Sequence, residues 1–270
     1  MRKIFAALLI SITLIMTGCN GGDEKDSGND DTLMHQRKFV VGLDDAYAPF
    51  GFRNEDNELI GFDIDLAKEI AERLDIEFEF KAIDWNNKEE ELESGKIDII
   101  WSGFNITPER KEYVIYSKPY MINRQVILVP KGGTKNIVSA EDLAGKIVGT
   151  QLGAPSDEYI NRGDHHLRNI FGKLITYDNY KHAFKALENG EVEAIICDEL
   201  VVRYEMNRHP NKFEMIEATV GPVTEIGIGF RKEDTELRDN IQNALSEVIK
   251  DGTAKKISEE WFGADLIQKI

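Results

Sequence analysis

Apolar and polar positions follow two different periods along this chain. Residues 39–43 form a short apolar run, and residues 62–74 carry an apolar side chain at every fourth position, which predicts one buried helical face. Residues 76–80 alternate apolar and charged side chains, the pattern of a half-buried strand. Strand-like and helix-like segments therefore follow one another from residue 39 onward.

The same alternation continues to the end of the chain. Further strands are predicted at residues 97–101, 126–129, 147–150, 174–176, 192–197 and 226–231. Further helices are predicted at residues 156–161, 180–189, 199–208, 235–250 and 253–261, with one more that ends at Gly95. This order predicts an α/β fold with parallel sheets covered by helices on both faces. Ligands bind at the carboxyl ends of strands in such sheets, so we expect a cleft there.

The first eighteen residues have the pattern of a signal peptide. Two basic residues precede an apolar run over residues 4–16, and the small pair Thr17 and Gly18 follows. The run is shorter than the about 20 apolar residues that a membrane-spanning helix needs. Residues 20–32 contain no apolar side chain, so we expect residues 19–36 to form a flexible tether.

The tetrapeptide at residues 16–19 resembles the bacterial lipobox, in which a lipid-modified cysteine becomes the new N-terminus. The resemblance implies that residues 1–18 are a lipoprotein signal peptide and that Cys19 carries the lipid anchor. Met16 departs from the usual leucine of this motif. The alternative is an ordinary secretory signal in which Cys19 has no role.

Charge and cysteine content exclude several classes of function. The chain has 49 acidic and 33 basic residues, a formal net charge of −16, which disfavours nucleic acid and anionic lipid surfaces as partners. Cys197 is the only cysteine after Cys19, which excludes an intramolecular disulfide and a cysteine-based metal site in the mature body. The histidines lack ligand-like spacing, and no phosphate-binding loop or hydrolase motif occurs. The sequence thus predicts no metal and no cofactor.

A series of motifs in fixed order resembles one family. The motifs are GLDDAYAPFGF at 42–52, GFDIDLA at 61–67, GKIDIIWSG at 95–103, NITPER at 105–110, GIGFR at 227–231 and WFG at 261–263. Over residues 38–263 the chain is similar to the family 3 bacterial extracellular solute-binding proteins, the polar amino acid receptors of ABC importers. The resemblance implies the type II periplasmic-binding-protein-like fold, in which two α/β lobes hold the ligand in the cleft between them.

The resemblance also implies where the lobes divide. Residues 37–123 and 226–270 would form lobe 1, and residues 124–225 would form lobe 2, with hinge segments at 123–125 and 223–226. Ligand binding would then close the lobes like a clamp.

The resemblance assigns the ligand carboxylate to Arg110, whose planar guanidinium grips a carboxylate with two donors. The alternative for a single arginine is a surface salt bridge. Asn105 matches a second contact with the carboxylate. Pro155 stands where the family has a hydroxyl residue, and proline also lacks an N–H, so the amide of Ser156 is expected to take over that contact.

Asp198 matches the aspartate that receives the ligand ammonium, and it follows a buried apolar run. The alternative role for Asp198 is the N-cap of the next helix. Ser102 and Gly103 are expected to add a hydroxyl and a carbonyl near the same ammonium. No metal or catalytic residue belongs to this set.

Tyr47 and Trp85 match the aromatic pair that encloses the ligand side chain, although aromatic residues are more often core residues. Asp44 matches a position that bonds a polar or cationic side-chain end, with Glu225 as a weaker second acid. These residues favour Arg, Lys, His or Gln as ligand. The role of Trp101 is left open.

The sequence therefore predicts a monomeric receptor that binds a free amino acid and docks on an ABC permease. We expect it on the extracytoplasmic face of the cell membrane, lipid-anchored as in Gram-positive bacteria, and not to be an enzyme. One alternative is an enzyme on the same scaffold, such as a cyclohexadienyl-type dehydratase with Glu225 or Asp44 as general acid or base. Another is the sensory domain of a signalling receptor.

Overall fold

The computed structural model of this chain describes residues 38–132, 136–163 and 165–269. The predicted signal peptide, Cys19 and the predicted tether lie outside the described residues. The described strands are β1 Lys38–Leu43, β2 Ala46–Tyr47, β3 Gly51–Arg53, β4 Leu59–Ile60, β5 Glu77–Ala82, β6 Ile99–Ile100, β7 Asn105–Ile106, β8 Val114–Tyr116, β9 Met121–Pro130, β10 Ile147–Gln151, β11 Lys173–Tyr177, β12 Ala194–Asp198, β13 Phe213–Ile226 and β14 Gly229–Arg231.

The described α-helices are α1 Phe62–Leu74, α2 Lys88–Glu93, α3 Pro155–Glu158, α4 His165–Ile170, α5 Tyr180–Glu188, α6 Glu199–Arg208, α7 Thr235–Lys250 and α8 Thr253–Phe262. Short 3₁₀ turns occur at Trp85–Asn87, Arg110–Glu112 and Glu141–Leu143, and Tyr159–Gly163 forms a π-helical turn. Among the helices that the structure describes, none has the length and apolar character needed to cross a membrane.

Helix α1 has the bounds that its sequence dictates. Phe62, Leu66 and Ile70 are buried at a spacing of four, so one helical face packs into the core. Acidic residues in the first turn and Arg73 in the last turn complement the helix dipole. The helix ends because Asp75 adopts the left-handed conformation at φ 52°, where its N–H bonds to carbonyls of the last turn.

The first large sheet has the strand order β5-β1-β6-β14-β8, and we call it and its surrounding elements lobe 1. Strand β1 is parallel to β5 and β6, as the sequence predicts. Strand β14 is antiparallel to β6 and β8. The small sheet β2-β3-β4 belongs to the same lobe, and Tyr47 is the last residue of β2.

The second large sheet has the order β11-β10-β12-β9-β13-β7, and we call it lobe 2, except for its edge strand β7, which lies in the part of the chain that we assign to lobe 1. Strand β10 is parallel to β11 and β12, whereas β9 is antiparallel to β12 and β13. Strands β9 and β13 are the crossing strands, because β9 begins beside lobe 1 and β13 ends there. Met121 starts β9 opposite Ile226, the last residue of β13. The lobe boundaries at residues 123 and 226 stay predictions.

Buried apolar side chains form three groups. The largest contains residues of both sheets, among them Val41, Ile99 and Leu128. The other two belong to one lobe each, with Ile127 in lobe 2 and Ile100 in lobe 1. Neighbouring residues of one strand therefore point into different groups, which explains why the central strands read as continuous apolar runs.

Three predictions about the elements are wrong. Residues 226–231 do not form one strand, because the chain leaves β13 at Ile226 and joins the other sheet at Gly229. The sheets are mixed rather than parallel, because β14 in the first sheet and the crossing strands in the second pair antiparallel to their neighbours. The helix predicted at 156–161 keeps α-helical geometry only to Glu158 and continues as the π-helical turn.

Candidate functional site

Arg110 lies in the 3₁₀ turn after β7, and only 2% of its surface is exposed. Its guanidinium lies over the Phe104 ring, 4.9 Å from the centroid, and Nη1 donates to the Asn105 carbonyl at 3.0 Å. From lobe 2, the Gly153 carbonyl accepts from Nη2 at 2.9 Å, and Glu158 Oε1 accepts from Nε and Nη2 at 3.2 and 3.0 Å. Burial opposes the charge, but Glu158 and other anions raise the pKa of Arg110 above its ordinary value. Arg110 is thus a fixed cation that oxygens of the opposite lobe reach.

Asp198 ends strand β12 in lobe 2 and is 1% exposed. It occupies the N-cap position of α6, but its side chain does not bond to that helix. Its Oδ1 instead accepts from Gln125 Nε2 at 2.7 Å, from Asn105 Nδ2 at 3.4 Å and from Asn123 Nδ2. Burial raises the pKa of Asp198, and hydrogen bonds from Gln125, Tyr47 and Asn123 oppose that rise. Amides of a crossing strand therefore orient this carboxylate.

Asn105 connects the site with both crossing strands. Its Oδ1 accepts from Asn123 Nδ2 at 3.0 Å and from Thr224 Oγ1 at 2.7 Å. Its Nδ2 donates to the Gly103 carbonyl at 3.1 Å, and its backbone carbonyl accepts a hydrogen bond from Arg110. The side chain is buried, so all these bonds are shielded from water.

Asp44 lies just after β1 and makes a second contact between the lobes. Its Oδ2 accepts from Gln151 Nε2 of strand β10 at 2.6 Å, and its Oδ1 accepts from the Ala46 amide at 2.9 Å. Burial raises the pKa of Asp44 to about 6, although these two hydrogen bonds oppose the shift. An incoming donor would therefore compete with the Gln151 amide for this carboxylate.

Tyr47, Trp85 and Gly103 form the apolar part of the site. Tyr47 stacks on Tyr180 of lobe 2 with the centroids 6.2 Å apart, and Trp85 meets the edge of Phe104 at 5.8 Å. Gly103 has a φ of +55°, and a Cβ there would lie 2.6 Å from Cε1 of Tyr47. Glycine is required because no side chain fits between this backbone and the aromatic ring.

The two predicted serines bond within their own lobes. Ser102 Oγ accepts from the Asp44 amide at 3.3 Å. Ser156 Oγ lies 2.6 Å from Thr150 Oγ1 and 3.3 Å from the Tyr180 hydroxyl. Their contacts with a ligand stay predictions.

Seven of the nine predicted ligand-binding residues line one cavity between the lobes: Asp44, Tyr47, Trp85, Gly103, Asn105, Arg110 and Asp198. Gln151, Ala154 and Pro155 complete its wall from lobe 2. The cavity measures about 10 Å³, roughly the room that one water needs. The lobes must therefore move apart before an amino acid fits between these residues.

A second and larger cavity of about 470 Å³ adjoins Arg110 at the junction of the lobes. Lobe 1 contributes Lys88 and Glu89, and lobe 2 contributes Gly153 and Glu158. Oppositely charged side chains line both sides of this cavity, so it is a polar extension of the cleft.

The sequence did not reveal several residues that complete the site. Gln151 and Glu158 reach across the cleft, and Lys88 lies beside Arg110. Gln125 was assigned only to a hinge segment, yet its amide bonds to Asp198. A polar side chain inside or at the end of a buried strand is a usable signal for the two glutamines, because burial requires a partner for the amide.

Two other candidates lie outside the cavity. Trp101, whose role was open, is a core residue that meets the edge of Phe78 at 6.3 Å. Glu225, the proposed second acid, is exposed on β13. Within residues 38–132, 136–163 and 165–269, no group of three or more His, Cys, Asp or Glu side chains is placed to hold a metal ion.

Comparison with known proteins identifies the family of this chain. The model of the bacterial extracellular solute-binding proteins, family 3, matches residues 39–264. The L-cystine-binding protein TcyJ of Escherichia coli is 30% identical over 262 residues, which cover 97% of this chain and 96% of that protein.

Solved structures show the same two-lobed arrangement. A substrate-binding protein of an ABC uptake transporter from Streptococcus pneumoniae with bound histidine has a TM-score of 0.83 and 32% identity, covering 90% of this chain and all of that one. An ancestral amino acid-binding protein described as a precursor of cyclohexadienyl dehydratase has a TM-score of 0.78 and 35% identity, covering 86% and 98% of the two chains. The predicted type II fold is confirmed. The chain belongs to the family 3 bacterial extracellular solute-binding proteins.

Proposed function

We propose that this chain is the substrate-binding lipoprotein of an amino acid ABC importer. It captures a free polar or cationic amino acid by closing its two lobes. The placement of Arg110 and Asp198, a buried cation and a buried carboxylate on opposite lobes around one cavity, carries this proposal. A free amino acid carries a carboxylate and an ammonium on one carbon. The carboxylate can therefore pair with Arg110 while the ammonium pairs with Asp198 only when the two lobes come together.

The remaining cavity residues suit a polar or cationic ligand side chain. Tyr47 and Trp85 supply aromatic surface, which holds methylene groups and attracts cations. Asp44 supplies a carboxylate whose bond to Gln151 exchanges for a ligand donor. This arrangement favours arginine, lysine, histidine or glutamine over a purely apolar amino acid.

Closure and opening follow from contacts between the lobes. Arg110 with Glu158, and Asp44 with Gln151, join the lobes directly, so both contacts break when the cleft opens. A ligand favours closure only to the extent that it binds the closed state better than the open one. The ligand supplies that difference because its carboxylate and ammonium reach Arg110 on lobe 1 and Asp198 on lobe 2 together only when the cleft is closed.

The location and partners follow from the N-terminal sequence and the family. Membership of an extracellular binding family agrees with a signal peptide at residues 1–18. Cys19 would carry the lipid, and residues 19–36 would tether a monomeric body to the extracytoplasmic face of a Gram-positive type membrane. An ABC permease would recognise the closed form.

A thermal-shift screen of the twenty amino acids and L-cystine tests the proposal. A ligand at 100 times its Kd stabilises the folded state by about 2.7 kcal/mol, so we expect the matching amino acid to raise Tm by roughly 5–10 °C. Arg110→Ala and Asp198→Ala should each abolish that shift. Arg203→Ala and Asp239→Ala, whose side chains are 53% and 62% exposed, are charge-matched controls that should keep it. No shift with any of the 21 compounds would reject the proposal.

Incubating the protein with the stabilising amino acid separates a receptor from an enzyme on this scaffold. Glu225, one suggested general acid or base, lies exposed and outside the cavity. We therefore expect the stabilising amino acid to be recovered unchanged after prolonged incubation with the protein. Formation of a product would favour the dehydratase alternative, with Asp44 as the first residue to examine.

A further inference from the structure

Lys88 is a buried lysine beside the candidate site. It begins α2 in lobe 1, and its side chain is 2% exposed, although lysine is almost never fully buried without a partner. Its Nζ lies 5.3 Å from the Trp85 ring centroid and 3.2 Å from Glu89 Oε1. It also donates to the Gly153 carbonyl of lobe 2 at 3.4 Å. The ammonium therefore faces the cleft rather than solvent.

Lys88 and Arg110 form a pair of neighbouring cations. Both donate to the same carbonyl oxygen of Gly153, Lys88 at 3.4 Å and Arg110 at 2.9 Å. Burial and, after it, the neighbouring charge of Arg110 lower the pKa of Lys88 to about 8, although Glu89 and Glu158 act in the opposite direction. Two buried like charges destabilise each other unless an anion lies between them.

The anions that face this pair come from both lobes. Glu89 stays beside Lys88 in lobe 1, whereas Glu158 and the Gly153 carbonyl belong to lobe 2. When the cleft opens, lobe 2 removes the partners it supplies. Lys88 and Arg110 then remain together on lobe 1, where Glu89 contacts Lys88 and Glu109 also lines the cavity, and both cations have lost the acceptors that lobe 2 supplied.

We propose that Lys88 is a second carboxylate-binding cation, which holds the α-carboxylate of the amino acid together with Arg110. This inference rests on the proposed amino acid binding and assigns one more residue to it. A guanidinium fork fixes the plane of the carboxylate, and a nearby ammonium adds a point charge to one of its oxygens.

Calorimetric titration of Lys88→Met tests the assignment, because methionine keeps the length of the side chain against Trp85 and removes the charge. The probes are L-arginine and L-histidine, each beside its α-carboxamide, which lacks the carboxylate charge. We expect Lys88→Met to weaken binding of the acid form about tenfold, as for one charge-assisted hydrogen bond, and of the amide less than about twofold. Lys96→Met, whose side chain is 54% exposed, is the matched control and should change neither.

A second readout follows the proton on Lys88. A bound carboxylate raises the pKa of the ammonium, so the wild-type protein should take up more protons than Lys88→Met on binding at pH 8, measured by titration in buffers of different ionisation enthalpy. Equal weakening of acid and amide, no weakening, or identical proton uptake would overturn the role of Lys88 while leaving amino acid binding intact. A wild-type protein that binds none of the probes or the other amino acids would instead reject the proposed function.

Discussion

At the scale of single residues, neutral donors hold the two buried carboxylates of the site. Asp198 accepts hydrogen bonds from three side-chain amides, and Asp44 accepts them from one side-chain amide and one backbone N–H. These donors keep the carboxylates oriented while burial alone favours their protonated forms. Replacement of an amide by a charged ligand group then strengthens the interaction without moving the carboxylate.

Asp44→Asn should show whether this carboxylate selects a cationic side chain. We expect it to weaken L-arginine binding at pH 7.5 by at least about tenfold, because a hydrogen bond to a charged group contributes roughly 1.5–3 kcal/mol. L-citrulline, with an uncharged end of the same length, should lose far less. Calorimetric titration measures both, and equal losses for the two amino acids would contradict the assignment.

The same residue gives a pH dependence with a defined sign. The pKa of Asp44 is raised to about 6, so lowering the pH below that value adds a proton and removes the charge that attracts a cation. Wild-type affinity for L-arginine should fall relative to L-citrulline as pH drops from 7.5 to 5. In Asp44→Asn the two profiles should run parallel.

Sequence reasoning located the charged residues better than their partners. Arg110 stands in the NITPER motif and Asp198 at a predicted strand end, and the family resemblance assigns their roles from those positions. Gln151 contacts Asp44 across 107 positions of the chain, and Lys88 contacts Gly153 across 65. No local period reports such pairs, because they exist only once the two lobes face each other.

At the scale of elements, the crossing strands both connect the lobes and build the site. Strand β13 continues from Phe213 to Ile226, with irregular pairing to β9 around Val220 and Thr224. The sequence predicted only the apolar centre of β9, since the polar residues Asn123 and Gln125 interrupt the apolar pattern beside it. Those polar residues point at Asp198 and Asn105, which is why the strand departs from the expected pattern.

Gln125→Ala should move the acid limit of amino acid binding to higher pH. Hydrogen bonding from Gln125 opposes the rise in the pKa of Asp198 that burial causes, so its loss raises that pKa further. On acidification, we expect the affinity for L-arginine or L-histidine to begin to fall at a higher pH in this variant than in the wild type. Ile122→Ala, at a 56% exposed position on the same strand, should follow the wild-type profile. A variant curve that parallels the wild type would exclude this role for Gln125.

At the scale of the whole molecule, several carboxyl groups are buried in and around the cleft. Asp44 and Asp198 lie at the cleft, and Asp63 lies behind it, accepting from the Gly103 amide at 2.6 Å and the Tyr120 hydroxyl at 2.8 Å. Burial raises the pKa of each, to about 7 for Asp63. Overall stability and the geometry of the site therefore depend on the same protons.

These raised values predict that stability falls as pH rises toward neutrality. Above about pH 4 the unfolded chain releases protons that the folded protein keeps. These bound protons therefore stabilise the folded state fully below that pH, and the stabilisation is lost as the pH rises through the folded-state pKa values of about 6 for Asp44 and about 7 for Asp63. Asp251, with its pKa lowered to about 2 by Arg73, acts in the opposite sense but only below about pH 4. Between pH 7.5 and 5.5 the raised groups therefore dominate.

Asp63 alone should contribute about 2 kcal/mol over that interval, so Tm of the ligand-free protein should be roughly 4–8 °C higher at pH 5.5 than at pH 7.5. Relief of the net charge of −16 acts in the same direction, and Asp63→Asn separates the two effects. Asparagine accepts from Gly103 and donates to Tyr120 without titrating, so the variant keeps the effect of net charge and loses that of the buried proton. Calorimetric scans at both pH values should show a smaller Tm difference in the variant, and an unchanged difference would mean that Asp63 is ionised in the folded protein.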